Sequence, residues 1–295
     1  MNGAADSAQP ARKPAPKLLG RFELNLDWIT RPLFGFLLAA LAVGAAWDGK
    51  WLFALFLGAG SVAGVREWHR MFVREGYAKY FAVSAAAIAA SLVAQNIVAF
   101  GASGQKILPW LLLAGGALID LGLSLATPRS AFWHGVGVLY VGATPLSLLV
   151  LRAAPAGGFW LVLAIFIAVW ATDTGALIAG NLIGGPKLAP RLSPNKTWAG
   201  AFGGAACAAI GTAILFAFIG ADVWRGALVG VSISLAGQAG DLFESWVKRR
   251  VGRKNSGSLI PGHGGVLDRI DSILFVAPVA AFAVLVLGFH PLAGP

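Results

Sequence analysis

Residues 158–183 read GFWLVLAIFIAVWATDTGALIAGNLI, an apolar run in which Asp173 is the single charged side chain. The run is longer than the roughly 20 residues that an α-helix needs to cross the hydrocarbon core of a bilayer. A backbone in lipid has to satisfy its own hydrogen bonds, so such a run is helical. The stretch therefore predicts a transmembrane helix that carries one acid.

The same apolar pattern recurs on both sides of this helix. Of the 295 residues, 57% are hydrophobic and 12% are charged, about half the roughly 25% charged residues of a soluble domain. This composition excludes an ordinary soluble enzyme, a disordered chain and a coiled coil. We predict an all-α fold, a polytopic integral membrane helix bundle of about nine transmembrane helices, with spans at 32–47, 51–65, 81–100, 107–126, 131–151, 158–183, 198–220, 224–240 and 273–289.

The basic residues indicate how the spans are oriented. Of the 23 Lys and Arg, 19 fall in the amino-terminal tail and in alternate connections. Because positively charged loops stay on the cytoplasmic side, we expect a cytoplasmic amino terminus and an outside carboxy terminus in the cell membrane. Residues 1–31 are expected to be a disordered basic tail, and 32–295 a membrane domain whose part 158–295 carries the functional segments. The first two spans are short, so whether both cross the bilayer stays open.

A polar face follows span eight. If that span continues as a helix, four side chains lie at i, i+3, i+4 and i+7 and share one face. They are Asp241, Glu244, Ser245 and Lys248. The face therefore combines two acids with a hydroxyl and a base next to the predicted cytoplasmic surface.

A glycine-rich turn comes next, at Pro261-Gly262-His263-Gly264-Gly265. Its glycines would let backbone amides approach a ligand closely. Asp268 and Asp271 follow it at the start of span nine. Carboxylates at two helix ends are suited to Mg²⁺, which prefers oxygen ligands and shares its coordination with substrate phosphates. A solvated basic loop would explain the nearby lysines but not the interleaved acids.

Two further features lie near the same surface. Asp173 is expensive inside a span, which by default indicates a functional residue. The loop 184–197 ends in Lys196-Thr197 but lacks the glycine spacing of a P-loop, so a Walker site is excluded. Ser193 and Thr197 are instead interpreted as caps at the start of span seven, whose amino terminus would favour an anion. The other intramembrane acid is Asp120, without polar neighbours in sequence, and His134 is interpreted as a polar tip in the membrane interface.

Segment 245–271 resembles the signature of the phosphatidate cytidylyltransferases, the CDP-diacylglycerol synthases. The matching residues are Ser245, Val247, Lys248, Arg249, Lys254, Ile260, Pro261, His263, Gly264, Gly265, Val266, Asp268, Arg269, Ile270 and Asp271. Segments 172–176, 193–198 and 240–241 resemble further parts of that family in the same order. The resemblance covers roughly residues 130–290, and it implies a reaction in which CTP and phosphatidate give CDP-diacylglycerol and pyrophosphate with Mg²⁺.

The resemblance also implies roles for individual residues. Asp241 and Asp268 are assigned to the metal, with Asp271 and Asp173 as supporting or additional ligands. Lys196, Lys248, Arg249, Lys254 and Arg269 are assigned to phosphate oxygens, and Ser193, Thr197, Ser245, His263, Gly264 and Gly265 to substrate binding. Whether the site holds one or two divalent ions, and whether it also holds a monovalent cation, stays open. The expected partners are CTP, phosphatidate and membrane lipids, with no nucleic acid, and the Gly- and Ala-rich helix faces permit a homodimer without requiring one.

Two departures from the family pattern leave alternatives open. Asn255 stands where the family usually has Asp, and Ala199 where it usually has Glu, so a metal role at 255 is in doubt. The same chemistry on an isoprenoid-ether lipid phosphate or a polyprenol acceptor is one alternative. An ion-coupled transporter that uses Asp120 and Asp173 is another, although no internal repeat supports it. An inactive relative or membrane scaffold is the third.

Overall fold

The computed structural model describes residues 27–73, 75–100, 106–125, 131–155, 157–257, 259 and 264–292. Within these residues the chain forms nine helices and two short strands. The helices are α1 (Asp27–Asp48), α2 (Lys50–Phe72), α3 (Ala78–Phe100), α4 (Leu108–Ser124), α5 (Ala131–Arg152), α6 (Gly158–Leu182), α7 (Trp198–Phe218), α8 (Val223–Arg250) and α9 (Leu267–Leu285), and the strands are β1 (Lys187–Ala189) and β2 (Ser193–Thr197). Each predicted span coincides with one helix, so the helical architecture is confirmed.

The outer surface of this bundle is apolar. The helices α3, α5, α6, α7 and α8 are each long and apolar enough to cross a membrane, and α1 and α4 contain shorter apolar stretches. Large hydrophobic side chains such as Leu118, Ile214 and Leu228 are more than half exposed on their helices. Exposed apolar surface of this extent is typical of a face that lies in lipid. The described chain is therefore a membrane protein built from helices.

Three helices extend beyond the predicted spans at the end where polar residues concentrate. α2 continues to Phe72, α8 continues to Arg250, and α9 begins already at Leu267. Hydropathy marks the limit of lipid, whereas helical hydrogen bonds persist beyond it, so these three helices are longer than the apolar spans. The predicted continuation of span eight as a helix is confirmed. α1 begins at Asp27, ahead of the predicted first span, and residues 1–26 of the predicted tail lie outside the described residues.

Small residues bring α6 and α7 into close contact. A Cβ atom at Gly175 of α6 would lie 2.8 Å from the Gly203 carbonyl oxygen, and one at Gly204 of α7 would lie 2.8 Å from the Thr172 carbonyl oxygen. Backbones that approach this closely are typical of small-residue helix contacts in membranes. This close packing fixes α6 and α7 relative to each other.

A proline in α9 is accommodated by a hydroxyl from α5. Pro278 has no N–H, so the Leu274 carbonyl four residues earlier lacks its helical donor. The Thr144 hydroxyl of α5 donates to that carbonyl at 3.3 Å. A neighbouring helix thus satisfies the freed backbone group, as membrane helices with proline require. The contact holds α5 and α9 together within the main core, which includes Phe53, Leu146 and Leu274.

The loop between α6 and α7 is a β-hairpin, a short addition to the predicted all-α fold. β1 and β2 pair antiparallel, with Lys187 opposite Thr197 and Ala189 opposite Ser193. The turn between them closes through a hydrogen bond from Leu192 N to Ala189 O at 3.1 Å, with Pro190 at the position that type I and II turns favour. The two strands are short and polar, so the sequence has no alternation of hydrophobic and polar residues that would predict them.

Thr197 ends the hairpin and caps α7. Its hydroxyl accepts a hydrogen bond from Gly200 N at 3.0 Å, so its predicted cap is confirmed. Ser193 pairs with Ala189 in the hairpin instead, so its predicted cap is wrong.

Replacing the cap residue tests its contribution. We expect Thr197→Ala to lower the free energy of unfolding by about 1 kcal/mol, because a buried amide at the start of α7 loses its acceptor. Thr197→Ser keeps the oxygen and should stay near the parent protein in thermal unfolding of the detergent-solubilised chain. Equal destabilisation by both variants would contradict the capping role.

Candidate functional site

The predicted functional residues come together at one end of the bundle. This end is formed by the carboxyl ends of α2, α6 and α8, the amino ends of α7 and α9, and the hairpin between α6 and α7. Helix ends expose polar backbone groups and can carry charged side chains outside the hydrocarbon core. The site is therefore assembled from segments far apart in sequence.

Asp241 forms the first charged contact of the site. Its carboxylate pairs with the Lys196 ammonium, which β2 places beside α8, and both side chains are about a quarter exposed. The Ser245 hydroxyl donates to the same carboxylate at 3.4 Å, one helical turn further along α8. The Asp173 carboxylate of α6 lies near enough to interact electrostatically with Asp241 and Lys196. The hairpin thus places Lys196 near Asp241 of α8 and Asp173 of α6.

Asp268 forms the second charged contact, at the start of α9. Its Oδ1 accepts a hydrogen bond from Lys248 Nζ at 2.8 Å. Its Oδ2 accepts from Ser256 N at 3.0 Å and from Gly265 N at 3.2 Å. Two backbone amides and one ammonium group therefore fix the orientation of this carboxylate.

Glu244 lies between the two contacts and is a residue that the sequence analysis did not assign to the site. It is fully buried, and within the described part of the chain its oxygens accept no hydrogen bond, although Oε1 lies 3.3 Å from Lys248 Nζ. Its charge interacts with those of Asp241 and Asp268, and Asp271 belongs to the same group. The available signal was its place on the shared face of α8, which is confirmed by the contacts of Lys248 with Glu244 and of Ser245 with Asp241.

The remaining basic residues surround this acidic interior. Arg249 is exposed, and its guanidinium donates to the carbonyl oxygens of Leu192 and Arg253, each at 3.3 Å. Lys254 and Arg269 are also exposed. The site thus has an interior rich in carboxylates, with Lys196 and Lys248 among them, and a positively charged rim. An interior of this charge suits a cation, and the rim suits an anion such as a phosphate group.

Of the glycine-rich turn at 261–265, the structure describes Gly264 and Gly265. His263 lies outside the described residues. Gly264 has a φ of +87°, which favours glycine. Gly265 is buried, and its amide donates to Asp268, so its assignment to substrate binding stays a prediction. A Cβ atom there would overlap Ser256 Oγ and approach Glu67 Oε2, which explains the absence of a side chain.

A second buried polar cluster lies in the amino-terminal half. The Ser84 hydroxyl donates to Asp120 at 2.6 Å and contacts His69 Nε2 at 2.7 Å, and His69 Nδ1 lies 2.8 Å from His134 Nδ1. His134 is fully buried and stacks on Tyr80. The interfacial interpretation of His134 is therefore wrong, and the polar neighbours of Asp120 come from other helices, which sequence distance concealed.

The amino-acid sequence of the chain is similar to those of known proteins. Residues 29–287 match the model of the cytidylyltransferase family. The chain is similar to the phosphatidate cytidylyltransferase of Brucella suis biovar 1 (strain 1330), with 38% identity over 261 residues, or 88% of this chain and 92% of the relative. It is also similar to the phosphatidate cytidylyltransferase of Staphylococcus haemolyticus (strain JCSC1435), with 43% identity over 146 residues, or 49% of this chain and 55% of that one.

Proposed function

Because the chain belongs to the cytidylyltransferase family, we propose that it transfers the cytidylyl group of CTP to phosphatidate, forming CDP-diacylglycerol and pyrophosphate. The observation that carries the proposal is the meeting of Asp241 and Asp268 at one end of the bundle, each paired with a lysine. The similarity to phosphatidate cytidylyltransferases along 88% of the chain supports the choice of substrates.

The reaction joins two phosphate groups and needs no protein nucleophile. An oxygen of the phosphatidate phosphate attacks the α-phosphorus of CTP, and the bond to the β-phosphate breaks to release pyrophosphate. The attacking oxygen is already anionic, so no general base is required. Catalysis then consists of holding both phosphates in line and of neutralising their charge.

The chain offers residues for both tasks. Lys196 and Lys248 lie beside the carboxylates, where they neutralise phosphate oxygens brought to the interior. We assign Arg249, Lys254 and Arg269, at the rim, to the outer phosphates of CTP. Ser245 and His263 are assigned to orienting the phosphates rather than to covalent chemistry.

The donor set fits a divalent cation that prefers oxygen. The buried oxygens of Glu244 accept no hydrogen bond from the described residues, and Asp241, Asp268 and Asp271 stand close enough to interact with it or with one another. No group of three or more such ligands converges on one point in the described residues, where Asp241 and Asp268 pair with Lys196 and Lys248. We propose that Asp241 and Asp268, with Asp271 and Asp173 as additional ligands, hold Mg²⁺, which would stabilise negative charge on the transferring phosphoryl group.

We also propose that all nine helices cross the cell membrane and that the site faces the cytoplasm. The alternation of basic connections supports this orientation. In that orientation the diacylglycerol tails of phosphatidate lie among the helices, and CTP arrives from the cytoplasm.

An assay with purified protein tests the function. With CTP, phosphatidate in mixed micelles and Mg²⁺, we expect CDP-diacylglycerol and pyrophosphate in equal amounts. Removal of the divalent ion with EDTA should abolish both products, and restoring Mg²⁺ should recover them. An isoprenoid-ether lipid phosphate serves as the second acceptor. Product from that lipid alone would contradict the assignment to phosphatidate, and no nucleotide consumption with either lipid would contradict the proposal as a whole.

A further inference from the structure

Glu67 lies in the amino-terminal half of the chain, outside the segments of the proposed chemistry, yet it reaches the site. It stands near the carboxyl end of α2 and is only 5% exposed. Its Oε2 accepts a hydrogen bond from Ser256 Oγ at 3.0 Å and another from Leu267 N at 3.1 Å. Within the described residues its Oε1 has no hydrogen-bond partner. Burying a carboxylate costs desolvation free energy, so a buried carboxylate is rare unless other interactions offset that cost.

The two donors to Glu67 belong to the segment that holds Asp268. Ser256 donates its hydroxyl to Glu67 and its backbone N–H to Asp268. Leu267 directly precedes Asp268 and is the first residue of α9, whose preceding residue, Val266, supplies no side-chain cap. The Glu67 carboxylate therefore takes the place of a cap at α9, where a negative charge also interacts favourably with the helix dipole.

The backbone passes close to the Glu67 carboxylate at two glycines. A Cβ atom at Gly257 would lie 2.5 Å from Glu67 Oε1, and one at Gly265 would lie 2.6 Å from Oε2. Gly265 is also the second backbone donor to Asp268. One carboxylate on α2 thus contacts each of the loop segments that orient Asp268.

We propose that Glu67 is a positioning residue, which holds Ser256 and Leu267 so that Ser256 N and Gly265 N orient Asp268 for its role in the transfer reaction. This inference rests on the proposed function for its effect on turnover. Its structural part, the ordering of the segment by α2, is independent of the substrate.

Substitutions at 67 and 256 test the proposal. Glu67→Ala removes both hydrogen bonds and should lower kcat on the order of 10–100-fold, as loss of a partner that orients a ligand does. It should also raise the Mg²⁺ concentration that gives half-maximal rate. Glu67→Gln keeps one oxygen acceptor in place of Oε2 and should retain most of the activity. Ser61→Ala, at another buried polar position of α2, is the matched control and should leave both quantities unchanged.

A double-mutant cycle separates this role from general destabilisation. Ser256→Ala removes the hydroxyl but keeps the N–H that reaches Asp268, so its effect on kcat should be smaller than that of Glu67→Ala. Because both variants break one shared hydrogen bond, their effects should be less than additive in the double variant. Additive effects would overturn the proposal.

Hydrogen exchange of the metal-free protein in detergent provides a readout without turnover. In Glu67→Ala, the amides of Ser256, Gly257, Gly265, Leu267 and Asp268 should exchange at least tenfold faster, while those of α2 around Ser61 stay unchanged. Uniformly faster exchange, or an unchanged Mg²⁺ requirement with a merely smaller active fraction, would show a purely structural role and overturn the proposal. If the parent protein makes no CDP-diacylglycerol, the proposed function fails, and the exchange experiment still decides whether Glu67 orders the segment.

Discussion

Asp268→Asn should lower CTP-dependent formation of CDP-diacylglycerol by at least about 100-fold, the scale on which loss of a pre-organised electrostatic contact acts. The amide keeps the shape of the carboxylate but loses the charge that pairs with Lys248 at 2.8 Å. It also presents one acceptor oxygen where Asp268 uses two, for Lys248 and for the amides of Ser256 and Gly265. The measurement is the initial rate of product formation by purified protein, at equal amounts of membrane-inserted chain.

Asp222→Asn is the matched control for this substitution. Asp222 caps the opposite end of α8 by accepting from Arg225 N at 2.7 Å. Asn caps helices as well as Asp does, so this variant should fold and turn over like the parent. Near-normal turnover of Asp268→Asn would reject its assignment to the metal, and a loss in Asp222→Asn would show that the assay reports stability instead.

Lys248→Met should lower both the rate of product formation and the free energy of unfolding. Lys248 is 8% exposed and lies within 3.3 Å of Glu244 and 2.8 Å of Asp268. Without it, the fully buried Glu244 carboxylate has to carry its charge without this cation or take up a proton, and either outcome costs free energy. Breaking a buried pair from one side lowers the free energy of unfolding by about 3 kcal/mol or more. Thermal unfolding in detergent and the rate of product formation measure the two effects.

A second variant separates the two effects of Lys248. In Lys248→Met with Glu244→Gln, no uncompensated charge is left at 244, so most of the lost stability should return while the activity stays low. Lys106→Met, at an exposed lysine at the opposite end of the bundle, should change neither. Recovery of turnover in the double variant would contradict a role of Lys248 in neutralising phosphate charge.

The helices could be predicted because lipid leaves the backbone few choices. A run such as 158–183 can satisfy its hydrogen bonds only as a helix, and the structure has α6 at this place. The helix ends were less predictable, since Arg250 and Leu267 lie in polar sequence where hydropathy carries no signal. The hairpin was missed for a related reason, because its strands are short and polar and depend on a turn at Pro190.

The carboxyl-terminal part of the site could be predicted because its residues are neighbours along α8 or belong to one recognisable signature. Asp241, Ser245 and Lys248 share a face at helical spacing, and Asp268 follows within the same signature. What the sequence could not provide was pairing between distant segments. Lys196 meets Asp241 only because the hairpin turns back over α8.

Glu67 shows the limit most clearly. It lies 189 residues from Ser256 and 200 from Leu267, its hydrogen-bond donors. A weak signal existed, because Arg66-Glu67-Trp68-His69 puts three titratable residues directly after a predicted span. The burial of Glu67 and His69, and the cluster of His69 with Ser84, Asp120 and His134, depend on packing between helices, which periodicity along one helix does not describe.

Asp268 and Asp271 lie on α9, and a ribosome makes α9 after the eight helices that precede it in the described chain. A nascent chain that has inserted those eight helices already contains Asp241 and Lys196, and Lys248 lies beside Glu244, but Lys248 still lacks Asp268 and Glu67 still lacks the amide of Leu267. The acidic interior is completed only when α9 docks against α2, α5 and α8. With Asp268 and Asp271 in the roles proposed for them, a translation product truncated before α9 is expected to insert into the bilayer and to make no lipid precursor.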